Sequence, residues 1–84
     1  MREQYFAARG ISYRINEFRA ERKTLVFIHG LSGSISAWYP YEKFFENYNL
    51  LTFDLRGHGR SARPRRYEEY TLRTHADDLY ELLE

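Results

Sequence analysis

Apolar and polar positions alternate near the start of the chain in a way that predicts a pair of strands. Between Ile11 and Ile15 every second residue is apolar, which is typical of a strand with one buried face. Residues 3–8 form a second short strand-like stretch, and Arg9-Gly10 between the two favours a turn. We therefore expect an antiparallel hairpin, followed by a polar loop over residues 20–23.

Two later runs are apolar without alternation. They are Leu25–Ile28 and Leu50–Phe53, and each is short and partly β-branched or aromatic. Such runs are typical of strands that are buried on both faces, as in a parallel sheet. We expect both runs to be parallel strands in one sheet.

The segment between these two runs has the periodicity of a helix. Trp38, Tyr41 and Phe45 recur at helical spacing, and we expect them to belong to the core rather than to a substrate site. Ser36 is a candidate N-cap. Pro40 is compatible with a helix only near its first turn, where a missing N–H costs little.

A second helix is predicted over residues 71–83, with Thr71 or Thr74 as its cap. Its apolar stripe consists of Leu72, Ala76, Leu79 and Leu83. His75, Asp77 and Asp78 lack the spacing of metal ligands, so we expect them to form an exposed face and predict no metal site.

The order is then strand, strand, strand, helix, strand, helix, which predicts the α/β class. Ligands of such sheets bind at the carboxyl ends of the parallel strands. In this chain those ends carry the sequences HGLSGS, residues 29–34, and DLRGHGRS, residues 54–61. We expect both segments to line the same edge of the sheet.

Composition narrows the class of protein. The 84 residues suffice for one small domain, and 43% hydrophobic with 18% aromatic residues indicates a packed core. A net charge of +1 predicts no nucleic-acid partner, and no apolar run is long enough to span a membrane. There is no cysteine and no signal-like N-terminus, so we expect a cytoplasmic protein.

The segment Gly30-Leu31-Ser32-Gly33-Ser34 is close to the G-x-S-x-G turn that exposes a catalytic serine, but its last position is Ser. A serine nucleophile also needs a histidine held by a carboxylate, and His29 has no evident acid partner. The backbone N–H groups at the end of this strand suit another task, which is to stabilise an oxyanion. Leu31 would then present its N–H there.

TLVFIHGLSGSISAW, residues 24–38, followed by FDLRGHGRSARP, residues 53–64, resembles the N-terminal part of an α/β-hydrolase of the esterase, lactonase and epoxide-hydrolase kind. The resemblance implies that the Leu31 N–H belongs to the oxyanion hole and that His29, Gly30 and Ser32 lie beside the substrate pocket. It implies a small ester-like substrate and no metal or organic cofactor.

In this family the nucleophile, the acid and the histidine of the triad follow the matching region. The resemblance therefore implies that residues 1–84 are the N-terminal fragment of a single α/β-hydrolase domain with an incomplete sheet, and that the isolated chain is inactive. An aspartate nucleophile, as in epoxide and haloalkane hydrolases, stays open. So does a different hypothesis: a short non-catalytic protein that pairs through an open apolar strand edge, Leu25–Ile28, with a partner, a complementing half or itself.

The second glycine-rich segment allows two further interpretations. Residues 57–62 match G-x-G-x-x-G/A, a dinucleotide-binding pattern, but Arg63-Pro64 follows at once where a helix should begin. Five arginines between residues 56 and 66 are balanced by nearby carboxylates, which favours a solvated loop over a phosphate site. Within it, Arg56 is expected to pair with a carboxylate such as Asp54, which we interpret as a structural anchor of the turn.

Overall fold

The computed structural model describes residues 1–30 and 33–83 and contains one four-stranded mixed sheet. The strands are β1 (Arg2–Phe6), β2 (Ile11–Ile15), β3 (Thr24–Ile28) and β4 (Asn49–Phe53), in the spatial order β1-β2-β4-β3. β2 is antiparallel to both of its neighbours, and β3 is parallel to β4. The α/β class, the hairpin and the parallel pair are thus confirmed, although β1 ends at Phe6 rather than near residue 8.

β4 forms the centre of the core because it is paired on both sides. All five of its residues are buried, and Thr52 and Phe53 are at most 1% exposed. β3 differs, since within the described residues only β4 pairs with it. Its middle residues are half-buried and Ile28 is 50% exposed, so the expectation that Leu25–Ile28 is buried on both faces is wrong.

The first helical segment is a 3₁₀ helix, Ile35–Phe45, rather than the expected α-helix capped at Ser36. Pro40 lies at its middle instead of near its first turn. Its ring has no N–H to donate and would clash with the carbonyl four residues earlier in an α-helix, which accounts for the 3₁₀ winding.

The aromatic residues of this helix divide between core and surface. The ring centroid of Phe27 on β3 lies 5.0 Å from that of Trp38 and 5.6 Å from that of Phe45. Tyr41 is 51% exposed, so the expectation that it belongs to the core is wrong. The 3₁₀ winding of three residues per turn, rather than 3.6, shifts the faces on which regularly spaced residues lie.

A second 3₁₀ helix, Tyr67–Tyr70, leads into the α-helix α1, Leu72–Leu83. Thr71 caps α1, because its Oγ1 accepts a hydrogen bond of 3.1 Å from the Thr74 N–H. The predicted apolar stripe is largely uncovered: Leu72 is 85% exposed and Leu83 is 53% exposed. None of the helices in the described part of the chain is long and apolar enough to cross a membrane.

Candidate functional site

The two motif-bearing segments meet where the parallel strands end. Ile28 and Phe53 are opposite each other in the β3–β4 ladder, so the chain leaves both strands at the same edge. Residues 29–34 follow β3, and residues 54–61 follow β4. The expectation that HGLSGS and DLRGHGRS share one edge of the sheet is confirmed for their described residues, 29–30, 33–34 and 54–61.

Asp54 organises this edge through its carboxylate. Its Oδ1 accepts a hydrogen bond of 2.8 Å from the Ile35 N–H, and its Oδ2 accepts one of 3.0 Å from the Arg60 N–H. The Ser61 hydroxyl donates to the Asp54 carbonyl at 2.5 Å. The side chain therefore joins the start of the first 3₁₀ helix to the turn after β4, which confirms Asp54 as an anchor of that turn.

Gly59 allows this arrangement because it has no side chain. Its φ is +48°, and a Cβ there would overlap the Asp54 carboxylate. We expect Gly59→Ala to lower the free energy of unfolding by more than about 2 kcal/mol, through left-handed strain and the clash. Urea denaturation followed by Trp38 fluorescence measures it. Gly30→Ala is the control, since a Cβ there meets no heavy atom within 4 Å; equal losses would contradict the explanation.

His29 is buried between the two segments, with only 3% of its surface exposed. Its Nε2 lies 3.0 Å from the Leu55 backbone N, and its Nδ1 lies 2.7 Å from the Gly30 carbonyl oxygen. A backbone N–H only donates and a carbonyl only accepts, so Nε2 accepts and Nδ1 carries the proton. The His58 ring centroid is 4.9 Å from that of His29.

The structure describes the two ends of the predicted oxyanion loop, residues 29–30 and 33–34. Gly30 is exposed, and its carbonyl also accepts a hydrogen bond of 2.9 Å from the Gly33 N–H. Leu31 and Ser32 lie outside the described residues. The roles assigned to Leu31, His29, Gly30 and Ser32 therefore stay predictions.

Arg56 was expected to pair with a carboxylate such as Asp54. It pairs instead with Asp78 on α1. Its Nε and Nη2 donate to the two carboxylate oxygens of Asp78 at 3.1 and 2.7 Å. This bonding raises the pKa of the Arg56 guanidinium. The two oxygens of Asp54 instead accept the backbone N–H groups of Ile35 and Arg60.

Sequence reasoning also placed Asp78 wrongly. It is 1% exposed rather than part of a solvated face, and it also accepts from Arg9 Nε at 2.8 Å. It thus ties the β1–β2 turn and the turn after β4 to α1. Asp77 next to it is much more exposed, and nothing in the local sequence distinguishes the two.

The other interpretations of the second motif do not fit the geometry. Residues 57–62 form a compact turn in which the Gly57 N–H donates to the Ala62 carbonyl at 2.8 Å, and α1 begins only at Leu72. No helix N-terminus follows the glycines directly to hold a pyrophosphate.

Within residues 1–30 and 33–83, no three His, Asp or Glu side chains converge in a way that suits a metal ion.

Comparison with known proteins decides the family. The model of the alpha/beta hydrolase fold matches residues 23–84, which is most of the chain. This chain belongs to the alpha/beta hydrolase fold family. It is 31% identical over 68 residues to an uncharacterized hydrolase, YraK, of Bacillus subtilis, covering 80% of this chain and 25% of that protein.

Two further hydrolases are similar to this alpha/beta hydrolase chain. It is 39% identical over 45 residues to the (E)-2-((N-methylformamido)methylene)succinate hydrolase of Acinetobacter baylyi, covering 52% of this chain and 17% of that enzyme. The crystal structure of an enol-lactonase from Burkholderia xenovorans superposes with a TM-score of 0.78 at 28% identity, over 95% of this chain and 32% of the lactonase. The chain thus spans about a third or less of each of these relatives.

An apolar groove lies beside β3 on this alpha/beta hydrolase chain. It encloses about 350 Å³ between the sheet and α1. Its lining residues are Ile28, Phe53, Leu55, Leu72, His75, Ala76 and Leu79. The groove thus joins the apolar stripe of α1 to Ile28, the last residue of β3.

Proposed function

We propose that this chain is the N-terminal part of a hydrolase that acts on a small ester-like substrate. In this proposal the loop after β3 supplies one oxyanion-hole donor, the Leu31 N–H, and His29, Gly30 and Ser32 border the substrate pocket. The shared edge of β3 and β4, the family and the hydrolase names of the relatives support it. No metal or organic cofactor is needed for such acyl transfer.

The hydrogen bonds of His29 support a further proposal, that the nucleophile lies outside residues 1–84. A serine attacks an ester only when a histidine nitrogen takes its proton. Both ring nitrogens of His29 are engaged with backbone groups, so this residue is not placed to act as that base. The Ser34 hydroxyl lies 2.8 Å from the Ser36 hydroxyl, with which it can form a hydrogen bond.

Ester hydrolysis by the purified 84-residue chain tests this assignment. We expect turnover of p-nitrophenyl acetate no faster than that of the Ser32→Ala and Ser34→Ala variants. Oxyanion donors alone accelerate ester hydrolysis little when the nucleophile and the base are absent. Turnover that Ser32→Ala or Ser34→Ala abolishes would place the nucleophile in this chain and contradict the proposal.

The open edge of β3 favours a second candidate function. A half-exposed apolar strand next to an apolar groove is a template for strand addition, so the chain is proposed to pair with a complementing segment or with itself. Light scattering of the purified chain would show assemblies that Val26→Pro on β3 disrupts, because proline removes a ladder donor. Phe44→Pro, in the first 3₁₀ helix away from this edge, is the control. A monomer at all concentrations would contradict this candidate.

A further inference from the structure

Three exposed arginines follow the turn after β4. They form the arginine patch, which consists of Arg63, Arg65 and Arg66. Residues 63–68 also contain one carboxylate, that of Glu68, so this segment has an excess of two positive charges. The net charge of the whole chain is +1, so the remaining residues together carry no positive excess.

The other carboxylates near the patch in sequence are engaged elsewhere. Asp78 and Glu69 pair with Arg56, and Asp77 pairs with Arg73. In the described part of the chain, none of the ion pairs includes a member of the patch. The balance of charge that the sequence indicated is therefore not formed around these three guanidinium groups.

The patch is fastened to the edge of the sheet where the parallel strands end. Arg63 Nη2 donates to the Gly59 carbonyl at 2.9 Å, and the Tyr70 hydroxyl donates to the Pro64 carbonyl at 2.5 Å. Gly59 in turn packs against the Asp54 carboxylate, just after β4. Because ligands of α/β sheets bind at the carboxyl ends of the strands, the patch lies on the side of the molecule where we expect a substrate to bind.

Guanidinium groups without a carboxylate partner attract anions over a distance that salt controls. The range of this attraction is about 10 Å at 0.1 M ionic strength and about 3 Å at 1 M. Positive charge near a binding site raises the local concentration of an anionic ligand, whereas a neutral ligand of similar shape gains nothing. Such attraction requires no direct contact, so it is compatible with a solvated loop.

We propose that the arginine patch selects anionic substrates, so that the hydrolase carrying this sequence prefers esters that bear a carboxylate to neutral esters. This inference rests on the proposed function and adds the charge of the substrate to it. The patch acts on the approach of the substrate and not on the reacting bond. It therefore lowers KM for an anionic ester and leaves kcat unchanged.

Two esters of glutaric acid that differ in charge test the proposal. Monomethyl glutarate carries a carboxylate at neutral pH, whereas dimethyl glutarate is neutral. The experiment measures kcat and KM for both esters in the full-length hydrolase that carries this sequence, by titration of the acid released, at about 0.1 M and about 1 M sodium chloride. The patch variant combines Arg63→Gln, Arg65→Gln and Arg66→Gln.

A control variant removes the same charge at the other end of the parallel strands. It combines Arg19→Gln, Lys23→Gln and Lys43→Gln, all at exposed positions. Lys23 directly precedes β3, and Arg19 and Lys43 line one cavity that also includes Leu50 near the start of β4. A five-residue strand is roughly 15 Å long, which exceeds the range of the attraction at 0.1 M salt.

At the lower salt concentration we expect the patch variant to have a KM for monomethyl glutarate about three- to tenfold above that of the wild type, at the lower end of such electrostatic effects. Its kcat, and both constants for dimethyl glutarate, should change less than about twofold, and so should all constants of the control variant. High salt should remove the difference in KM. If the patch variant raises KM for both esters alike, or the control variant has the same effect, the inference is overturned.

The wild type alone decides the matter if the patch variant does not fold. From low to high salt, KM for monomethyl glutarate should rise at least about threefold relative to KM for dimethyl glutarate. An unchanged ratio would overturn the inference and leave the proposed function intact. A wild-type enzyme that hydrolyses neither ester would instead refute the proposed function, and the selection of anionic esters would fall with it.

Discussion

Replacing Asp78 with alanine is expected to lower the free energy of unfolding by about 3–5 kcal/mol, because it leaves a buried charge without its partner. The Arg56 side chain is only 10% exposed and donates two hydrogen bonds to the Asp78 carboxylate. Glu69 Oε1 lies 3.6 Å from Arg56 Nη1 and remains as a partner for the guanidinium in this variant. We therefore expect a loss near the lower end of that range. Urea denaturation followed by Trp38 fluorescence measures the loss.

Asp77→Ala is the matched control for this variant. Asp77 lies on the same helix, one residue earlier, and its bond of 3.4 Å to Arg73 joins two side chains that are 47% and 87% exposed. Such surface pairs contribute about 0–1 kcal/mol. A loss for Asp78→Ala no larger than that for Asp77→Ala would show that Asp78 does not hold α1 against the two turns.

Replacing Asp54 with alanine is expected to cost on the order of 3–5 kcal/mol of unfolding free energy. It removes two charge-assisted hydrogen bonds, each worth about 1.5–3 kcal/mol, and leaves the N–H groups of Ile35 and Arg60 without their acceptor. Asp54→Asn should cost roughly half as much, because an amide keeps one acceptor and turns its NH₂ toward the other donor.

Urea denaturation of the wild type, Asp54→Ala and Asp54→Asn measures this order of stability. Glu17→Ala is the control. Glu17 is 81% exposed, and its carboxylate lies 3.7 Å from Arg19, so its removal should change the free energy of unfolding by less than about 1 kcal/mol. If Asp54→Asn were as stable as the wild type, the carboxylate would not be holding both segments. The first 3₁₀ helix and the turn after β4 would then be joined by other contacts.

The strands were predictable from the sequence because each is a short apolar or alternating run between turn residues. Their burial was not, since TLVFI and NLLTF have similar composition and yet form an edge strand and a central strand. Only pairing distinguishes them: β4 has neighbours on both sides, and β3 has one within the described residues. Position in the sheet, rather than local hydrophobicity, decides which strand forms the core.

The meeting of the two motif segments was predictable for a topological reason, because parallel strands end at one edge of a sheet. The partners within that site were not. Arg56 stands two residues from Asp54 but bonds to Asp78, which is 22 residues away. Sequence proximity favoured the nearer carboxylate, whereas in the folded turn that carboxylate accepts two backbone N–H groups.

The winding of the first helical segment shows where periodicity alone is insufficient. Trp38, Tyr41 and Phe45 fit an α-helical face, but Pro40 lies inside the segment and the helix is 3₁₀. Phe45 and Trp38 still reach Phe27, whereas Tyr41 faces solvent. A proline within an apolar repeat therefore changes both the type of helix and the side chains that it buries.

Fluorophosphonate labelling of the native protein, followed by peptide mapping of the labelled residue, tests the central claim most directly. The account predicts that peptides covering residues 1–84 are unlabelled and that any labelled serine lies outside them, in a polypeptide about three times the size of this chain. A label on Ser32 or Ser34 would contradict it, because the loop after β3 would then carry the nucleophile rather than an oxyanion donor.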